Sequence, residues 1–399
     1  MSTAVLTHRL ESSSLADTAL KAATRFWFVV TVIGQLAFAV AVASYYGMAA
    51  VRGNYRAWGK FISHGYVPGD HVGNLAVAIH LSTAVAVMLS GAVQLVPRLR
   101  NRLPAFHRWN GRFYMLAGLS VSAAGMYMTW IRGSVGDVTQ HIGSTLNAIL
   151  IWYFGAMTLR YALARDFRTH RRWAMRFFLV VSASWFIRIM LFVTLLVLNG
   201  AAGFDPASIV GPVLTMLTFA QYLVPLAVLE LYFQAQDRPT ARRKMATAGV
   251  LGLSTLLMIG GLFAVSMAIW VPQVKAGFDP RKSIAETLAT TVTSKGVDQA
   301  VAQYQELKST QSAAYNFEER ELNALGYQLI NSHKYQEAIV ILQLNTQVFP
   351  KSANTWDSLG EAYMNAGDNA LAIANYQKSL QLNPKNANAV KMLRKLGAR

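Results

Sequence analysis

Long apolar runs alternate with short polar segments from the N-terminal region to about Trp270, and the rest of the chain has a mixed, amphipathic pattern. A helix of about 20 apolar residues can cross the roughly 30 Å hydrocarbon layer of a bilayer. Seven runs reach that length, and they predict membrane-spanning helices over residues 25–48, 73–96, 112–131, 142–163, 176–198, 209–233 and 246–270. The predicted fold class is therefore all-α: a polytopic membrane bundle over residues 25–271, preceded by a cytoplasmic polar tail at 1–24.

The chain beyond the bundle has the spacing of a helical repeat. Residues 272–283 are expected to form a linker, and residues 284–399 a second helical domain. A constant offset of 34 relates four features of this domain: Leu325-Gly326 to Leu359-Gly360, Leu322 to Trp356, Ala338 to Ala372, and Pro350 to Pro384. Small residues allow paired helices to approach closely, and proline ends the second helix of each pair.

This pattern resembles the tetratricopeptide repeat, with clear repeats at 321–352 and 355–386. The segment 284–314 is expected to supply a degenerate first helical pair as a cap. The resemblance implies an α-solenoid that binds a protein or a peptide. The predicted contact region surrounds Trp356 and Tyr363.

A second repeat lies inside the membrane region. Trp109, Arg112 and Phe113 match Trp173, Arg176 and Phe177 at an offset of 64. The histidines follow nearly the same offset, which is 61 from His80 to His141 and 63 from His107 to His170. We interpret this as a duplicated pair of helices, each pair with one histidine near either end.

Composition agrees with a membrane protein. The chain is 53% hydrophobic and 14% charged, whereas soluble domains have roughly 25% charged residues. A net charge of +18 would suggest nucleic acid in a soluble protein, but here the basic residues lie in short segments between apolar runs, so no nucleic-acid partner is expected. The absence of cysteine excludes disulfides and thiolate catalysis.

Basic residues also predict the orientation. Arginine and lysine concentrate between the second and third, fourth and fifth, and sixth and seventh predicted helices, which places those segments in the cytoplasm. The first outer loop, with Arg52, Arg56 and Lys60, is an exception. The prediction is a multi-pass protein of the bacterial inner membrane, with a cytoplasmic N-terminus and, after seven crossings, periplasmic repeats that recruit a periplasmic protein or peptide.

Three segments carry a family resemblance. They are His80, the run His107-Arg108-Trp109-x-Gly111-Arg112-x-Tyr114, and the run His170-Arg171-Arg172-Trp173-x-x-Arg176. Residues 25–235 resemble the domain-of-unknown-function 2306 family of predicted bacterial membrane proteins. That resemblance implies a membrane fold and no agreed activity.

The duplication suggests a cofactor. A pseudo-twofold axis along the membrane normal would bring His80 opposite His141, and His107 opposite His170. Two facing imidazoles can each give one axial nitrogen to a haem iron. The arrangement of four histidines on four helices looks like that of the cytochrome b561 class, and it predicts haem b as the cofactor. Arg188, near the middle of a predicted helix, is expected to meet a haem propionate or an anionic substrate, or else to bond a backbone carbonyl or Asn147.

Three interpretations remain open at this stage. The first is a haem-bearing electron carrier or quinone-linked oxidoreductase, and the second is a non-catalytic anchor whose repeats recruit a partner. The third is a small-molecule transporter that uses Arg188 and His80. The histidines of the arginine-rich segments would also suit lipid phosphates. The chain contains no P-loop, Rossmann glycine pattern or His-Glu-x-x-His motif, so whether it is an enzyme is left open.

Overall fold

A computed structural model describes residues 3–134, 136–198 and 211–398, and it divides the chain into two compact units, Met1–Phe278 and Asp279–Arg399. The described residues are almost entirely helical, which confirms the predicted all-α class. Residues 209 and 210, where the sixth membrane segment was predicted to begin, lie outside the described residues, as do the first two residues of the predicted tail.

In its described part, the first unit has eleven α-helices. These are α1 (Thr3–Val42), α2 (Met48–Val51), α3 (His71–Gln94), α4 (Pro97–Arg102), α5 (Pro104–Trp130), α6 (Val138–Leu163), α7 (Phe167–Val181), α8 (Ala183–Val197), α9 (Pro212–Asp237), α10 (Ala241–Val265) and α11 (Val271–Phe278). Two π-helical turns, Ala43–Gly47 and Ser266–Trp270, continue α1 into α2 and α10 into α11, and a 3-10 turn spans Tyr55–Lys60.

Helix α1 begins well before the predicted first span. The residues assigned to a polar tail extend the helix instead of preceding it. They are held to the bundle by an ion pair of 2.5 Å between Asp17 and Lys244 of α10. Leu20 packs beside it against Ala235 and Leu251. Tertiary contacts therefore stabilise a segment whose local composition alone does not require a helix.

The predicted span 176–198 is two helices, α7 and α8, bent by 57° at Ser182. Serine is a common residue at helix kinks. The Ser182 hydroxyl accepts a hydrogen bond of 2.9 Å from Gln35, which is fully buried in α1. The carbonyl of Val180, on the other side of the bend, accepts one of 3.2 Å from Asn147. Polar side chains of two neighbouring helices thus satisfy backbone and side-chain groups around the break.

The predicted linker 272–283 is helical over its first part. Helix α11 follows the π-turn directly, and Pro272 lies in its first turn. Pro272 has no N–H group to donate, and it directly follows the π-turn, where the backbone ladder has already shifted to the i−5 bond from Val271 to Ser266. Gly277 lies against the Ser44 backbone so closely that a Cβ at this position would be 2.1 Å from the Ser44 oxygen. The helix is therefore part of the membrane unit, and the second unit begins at Asp279.

Five helical stretches of the described residues are long and apolar enough to cross a membrane, and the bent pair α7–α8 would be a sixth. The five are Leu15–Val51, His71–Gln94, Val138–Leu163, Pro212–Asp237 and Ala241–Phe278. Helix α5 has 27 residues, and its basic and polar first turns make it the least apolar of the long helices. A seventh crossing depends on α5.

At the centre of the duplicated region, aromatic rings pack against glycines of neighbouring helices. Tyr114 of α5 rests on Gly91 of α3, where an added Cβ would come within 2.9 Å of the ring. Phe177 of α7 similarly contacts Gly118 of α5 and Gly155 of α6. The Tyr114 and Phe177 rings meet edge to face, with centroids 5.3 Å apart. These contacts bring the four duplicated helices together around one aromatic core.

The second unit is a stack of helices, α12 (Ile284–Lys295), α13 (Val297–Thr310), α14 (Glu319–Asn331), α15 (Tyr335–Val348), α16 (Ala353–Asn365), α17 (Asn369–Leu382) and α18 (Ala387–Lys395). Two short strands, β1 (Lys282–Ser283) and β2 (Tyr315–Asn316), pair in parallel at its start. Helices α12 and α13 form the expected first pair, and their buried faces join the same core as α14 and α15. Gly326 and Gly360 each receive a side chain of the following helix, Leu342 and Tyr376 respectively.

Candidate functional site

The membrane unit contains a cavity of about 2470 Å³ among its described residues. It is lined by residues of α1 and of every helix from α3 to α10. Its deeper walls are apolar and aromatic, with Tyr114, Phe177 and Phe178 among the lining residues. Ordinary ligand pockets enclose about 300–1000 Å³, so the cavity has room for a large cofactor or for lipid chains.

The mouth of this cavity is strongly basic. Eleven lysine and arginine residues line the cavity against two aspartates, Asp17 and Asp237. Both aspartates are already paired, Asp17 with Lys244 and Asp237 with Arg172 at 2.5 Å. Uncompensated positive charge therefore surrounds an apolar interior. Such a site favours an amphiphile with an anionic end.

The structure brings His107 and His170 to this one cavity. Each lies in the first turn of its helix, His107 in α5 and His170 in α7. The Nδ1 atom of His170 lies 2.9 Å from the Thr158 carbonyl oxygen. The Nε2 atom of His107 lies 3.4 Å from the Gln94 side-chain nitrogen. The two histidines therefore line one cavity, at corresponding ends of the two duplicated helices.

His80 and His141 contact α5 at different levels. His80 Nδ1 is 3.1 Å from the carbonyl oxygen of Val121, whereas His141 packs edge to face on Trp130 at 5.6 Å. Nine residues separate these two positions of α5, which corresponds to about 13 Å along a helix. The Nε2 atom of His141 is buried without a hydrogen-bond partner among the described residues. The prediction that His80 and His141 hold one haem iron therefore lacks the support that a common cavity gives to His107 and His170.

Arg188 bonds to a backbone carbonyl, which is one of the two outcomes expected for it. Its guanidinium donates to the Ser184 carbonyl oxygen and lies over the Phe38 ring, 4.9 Å from the centroid. No carboxylate of the described residues forms an ion pair with it. Asn147 is bonded elsewhere, to Val180. An anionic ligand at Arg188 stays a prediction.

In the second unit, Trp356 contacts the loop before its own helix α16, whereas Tyr363 contacts the preceding helix α15. Trp356 donates to the Pro350 carbonyl at 2.9 Å, and Tyr363 accepts from Gln343 at 2.8 Å. Tyr363 also packs against both hydrophobic clusters of the stack. The sequence reasoning overlooked Asp357 and Glu361, which lie one turn apart on α16. Their i, i+4 spacing places both carboxylates on one helix face and was the available signal.

The fold and these sites define a class: a multi-pass helical membrane protein with a C-terminal stack of protein-binding repeats. Comparison with known families agrees with this class. Residues 77–226 match the family described as "Predicted membrane protein (DUF2306)", and residues 353–386 match the tetratricopeptide repeat. Both resemblances inferred from the sequence are thereby confirmed over these residues, whereas the likeness to cytochrome b561 stays a prediction.

Two curated proteins share a short similar stretch with the chain. Superkiller complex protein 3 of Mus musculus is 33% identical over 61 residues, and that of Homo sapiens is 32% identical over 65 residues. These stretches cover 15% and 16% of this chain but 4% of each relative, so the chain spans a small part of those proteins. No solved structure matches the chain.

Proposed function

We propose that the membrane unit binds haem b in its basic-mouthed cavity and carries electrons, and that His107 and His170 would hold the haem iron. The observation that carries this proposal is that the duplication delivers both histidines to one large cavity with apolar walls and a basic mouth. Haem is a flat apolar ring with two carboxylates, so an apolar interior ringed by arginines suits it. When bound, the group supplies reversible one-electron chemistry.

The surroundings of His170 fit a ligand role. Histidines that ligate metals commonly use their second ring nitrogen to donate to a carbonyl, which sets the tautomer and the ring orientation. The contact of His170 Nδ1 with the Thr158 carbonyl has this form and leaves Nε2 available. His107 is held differently, because Gln94 contacts its Nε2 atom and also donates to its backbone carbonyl at 3.2 Å. Ligation through His107 Nε2 requires the Gln94 amide to turn away.

Basic residues at the mouth would receive the carboxylates. Arg100 and Arg108 line the cavity close in sequence to His107, and Arg171 lies next to His170. None of these three arginines is used in an ion pair between described residues. Arginine is well suited to planar carboxylates, because its donors can bind both oxygens at once. The same residues would hold lipid phosphates if no haem binds.

We also propose an orientation of the chain in the membrane and a role for its repeats. We place the basic ends of α5, α7 and α10 in the cytoplasm of a bacterial inner membrane, and the repeats in the periplasm. The repeats would then bring a periplasmic protein to a membrane electron carrier. Without haem, the protein would be an anchor for that partner, which is the second candidate function and is favoured by the tetratricopeptide match.

Purification in detergent from cells supplied with ample haem tests the proposal. We expect a Soret band and a b-type reduced-minus-oxidised spectrum. His107→Ala and His170→Ala should each remove the absorbance, because neither imidazole alone completes the axial pair. His71→Ala is the matched control, since His71 is exposed at the start of α3 and should leave the spectrum unchanged.

Three results distinguish the alternatives. A colourless wild-type protein rejects the haem proposal and leaves the anchor. Absorbance that survives both His107→Ala and His170→Ala, but is lost in His80→Ala or His141→Ala, moves the haem to the other pair. Equal partial losses from all four substitutions would indicate two haems, one for each histidine pair.

A further inference from the structure

One face of the second unit carries acidic side chains that bridge its helices. Tyr327 of α14 donates a hydrogen bond of 2.8 Å to Glu361 Oε2 on α16. Asn388 of α18 donates one of 2.8 Å to Asp357 Oδ2, also on α16. These bonds run between the first helices of successive pairs. We call the surface defined by Tyr327, Asp357, Glu361 and Asn388 the first-helix face.

The two carboxylates on this face have no cationic partner among the residues that the structure describes. Asp357 and Glu361 lie four residues apart on α16, so their side chains neighbour one another. Asp357 is 8% exposed, and no lysine or arginine of the described residues pairs with either carboxylate. Burial raises the pKa of both carboxyl groups, and the charge of Asp357 raises the pKa of Glu361 further. Other acidic residues of the unit differ: Asp279 and Glu318 are both paired with Arg281.

A buried phenol beside these carboxylates also lacks a partner. Tyr376 is fully buried, and its ring rests on Gly360, between Asp357 and Glu361 in the sequence of α16. Its hydroxyl has no hydrogen-bond partner among the described residues, although the charges of both carboxylates act on it. Buried polar groups are normally satisfied. Asp357 already accepts hydrogen bonds from Asn386 and Asn388, but these neutral amides leave its charge unpaired. An unsatisfied hydroxyl next to two carboxylates that no described cation pairs with points to a ligand that completes the site.

We propose that the first-helix face binds the cationic side chain of a partner segment, a lysine or arginine seated against Asp357 and Glu361. An ammonium or guanidinium group supplies the missing positive charge and the donors that two carboxylates and a phenol oxygen can accept. Tyr327 offers an aromatic ring beside the same carboxylates, which favours a cation further. An acidic segment would be repelled. This inference concerns the second unit alone and does not depend on haem.

Binding to a labelled peptide provides the test, with the full-length protein in detergent. The probe is a fluorescein-labelled ten-residue peptide of alternating alanine and lysine, and its matched form has every lysine acetylated. Acetylation removes the charge but keeps most of the side chain. We expect saturable binding of the lysine peptide, followed by fluorescence anisotropy, and affinity at least about tenfold weaker for the acetylated form.

Substitutions locate the site. Asp357→Asn and Glu361→Gln should each weaken binding of the lysine peptide by about tenfold, because each removes one charge from a partly desolvated pair. Glu306→Gln removes the same charge from an exposed position on α13 and should change the affinity less than about twofold. The amide oxygen that Glu361→Gln introduces can still accept from Tyr327, so this variant remains informative if Asp357→Asn fails to fold.

Several outcomes would overturn the proposal. Equal weakening by Glu306→Gln would show that the peptide follows net charge and not this face. Equal binding of the acetylated peptide would show that the face does not select a cation. Loss of binding on addition of a chelator would assign the carboxylates to a metal ion.

Discussion

Arg176 lies over the ring of Trp173, with its Cζ atom 4.9 Å from the ring centroid. The duplicated segment repeats this relationship, because Arg112 lies over Trp109 at 4.8 Å. The two copies differ in their surroundings. Arg176 also bonds Glu230 of α9 at 2.7 Å and lies over Phe233, whereas Trp109 is 68% exposed. The same arginine–tryptophan contact is therefore packed into the bundle in one copy, whereas in the other copy it faces outward.

This difference predicts unequal costs for the same substitution. Arg176→Ala should destabilise the protein by about 1–3 kcal/mol, because it removes a charged hydrogen bond and two ring contacts. Arg112→Ala should cost less than about 1 kcal/mol, since an exposed cation–π contact is weak. Thermal unfolding in detergent measures both variants against the wild type. Equal losses would contradict the asymmetry of the two copies.

Gly34 lies against the buried ring of Trp185, so a larger residue at position 34 should clash with that ring. A Cβ at Gly34 would come within 2.5 Å of the Trp185 ring, and Trp185 is fully buried. Gly34→Ala should therefore destabilise the bundle by about 1–3 kcal/mol, because the ring must shift within a packed core. Gly249→Ala is the control, since nothing lies within 4 Å of its added Cβ. That variant should be neutral or gain up to about 1 kcal/mol from helix propensity. Similar behaviour of the two variants would count against tight packing of α1 on α8.

The carboxyl pair of the repeats predicts a dependence of stability on pH. The folded-state pKa values of Asp357 and Glu361 are raised above their ordinary 3.8 and 4.5. The folded state therefore binds more protons than the unfolded state in the window above those ordinary values. The stabilisation that these bound protons give is fully present when the pH is below the ordinary pKa values. It is lost as the pH rises through the raised pKa values of the folded state. Asp279, whose pKa is lowered by Arg281, acts in the opposite sense, but its effect is lost only as the pH falls below the ordinary value of 3.8.

Glu361→Gln isolates this contribution. At pH 7 the variant should be more stable than the wild type, because it no longer buries a charge, and the difference should shrink on acidification towards pH 4.5. Thermal unfolding followed by circular dichroism at both pH values checks this. Glu306→Gln should show no such pH-dependent difference. A wild type that is more stable than Glu361→Gln at pH 7 would mean that the carboxylate already has a favourable partner.

The proposed orientation can be tested because the chain has no cysteine. Single cysteines at Asn101 and Ser134 flank α5, and one at Ser309 lies in the repeats. If α5 crosses the membrane and the repeats are periplasmic, a membrane-impermeant maleimide should label Ser134→Cys and Ser309→Cys in spheroplasts. Asn101→Cys should be labelled only after lysis. Labelling of Asn101→Cys and Ser134→Cys from the same side would remove the α5 crossing and place the repeats in the cytoplasm.

The local pattern of apolar and polar residues was sufficient to predict that both regions of the chain are helical. Apolar runs longer than a membrane is thick require helices, because backbone polar groups have no other partner in lipid. The C-terminal repeat likewise determined a stack of helix pairs, since each pair leaves an apolar face that only a neighbour can bury. The duplication matched Trp109 and Arg112 with Trp173 and Arg176, and the structure gives both pairs the same contact of arginine on tryptophan.

Pairing between distant residues was decided by the tertiary structure. Glu230 of α9 pairs with Arg176 of α7, a partner that no spacing in the sequence indicated, because rotation about the helix axis determines which side chains face each other. The bend at Ser182 depends on Gln35, a residue of another helix far away in the sequence. Packing brings His107 and His170 into one cavity and leaves His80 and His141 at different levels of α5, because spatial approach depends on helix tilt and register, which spacing along a chain does not encode.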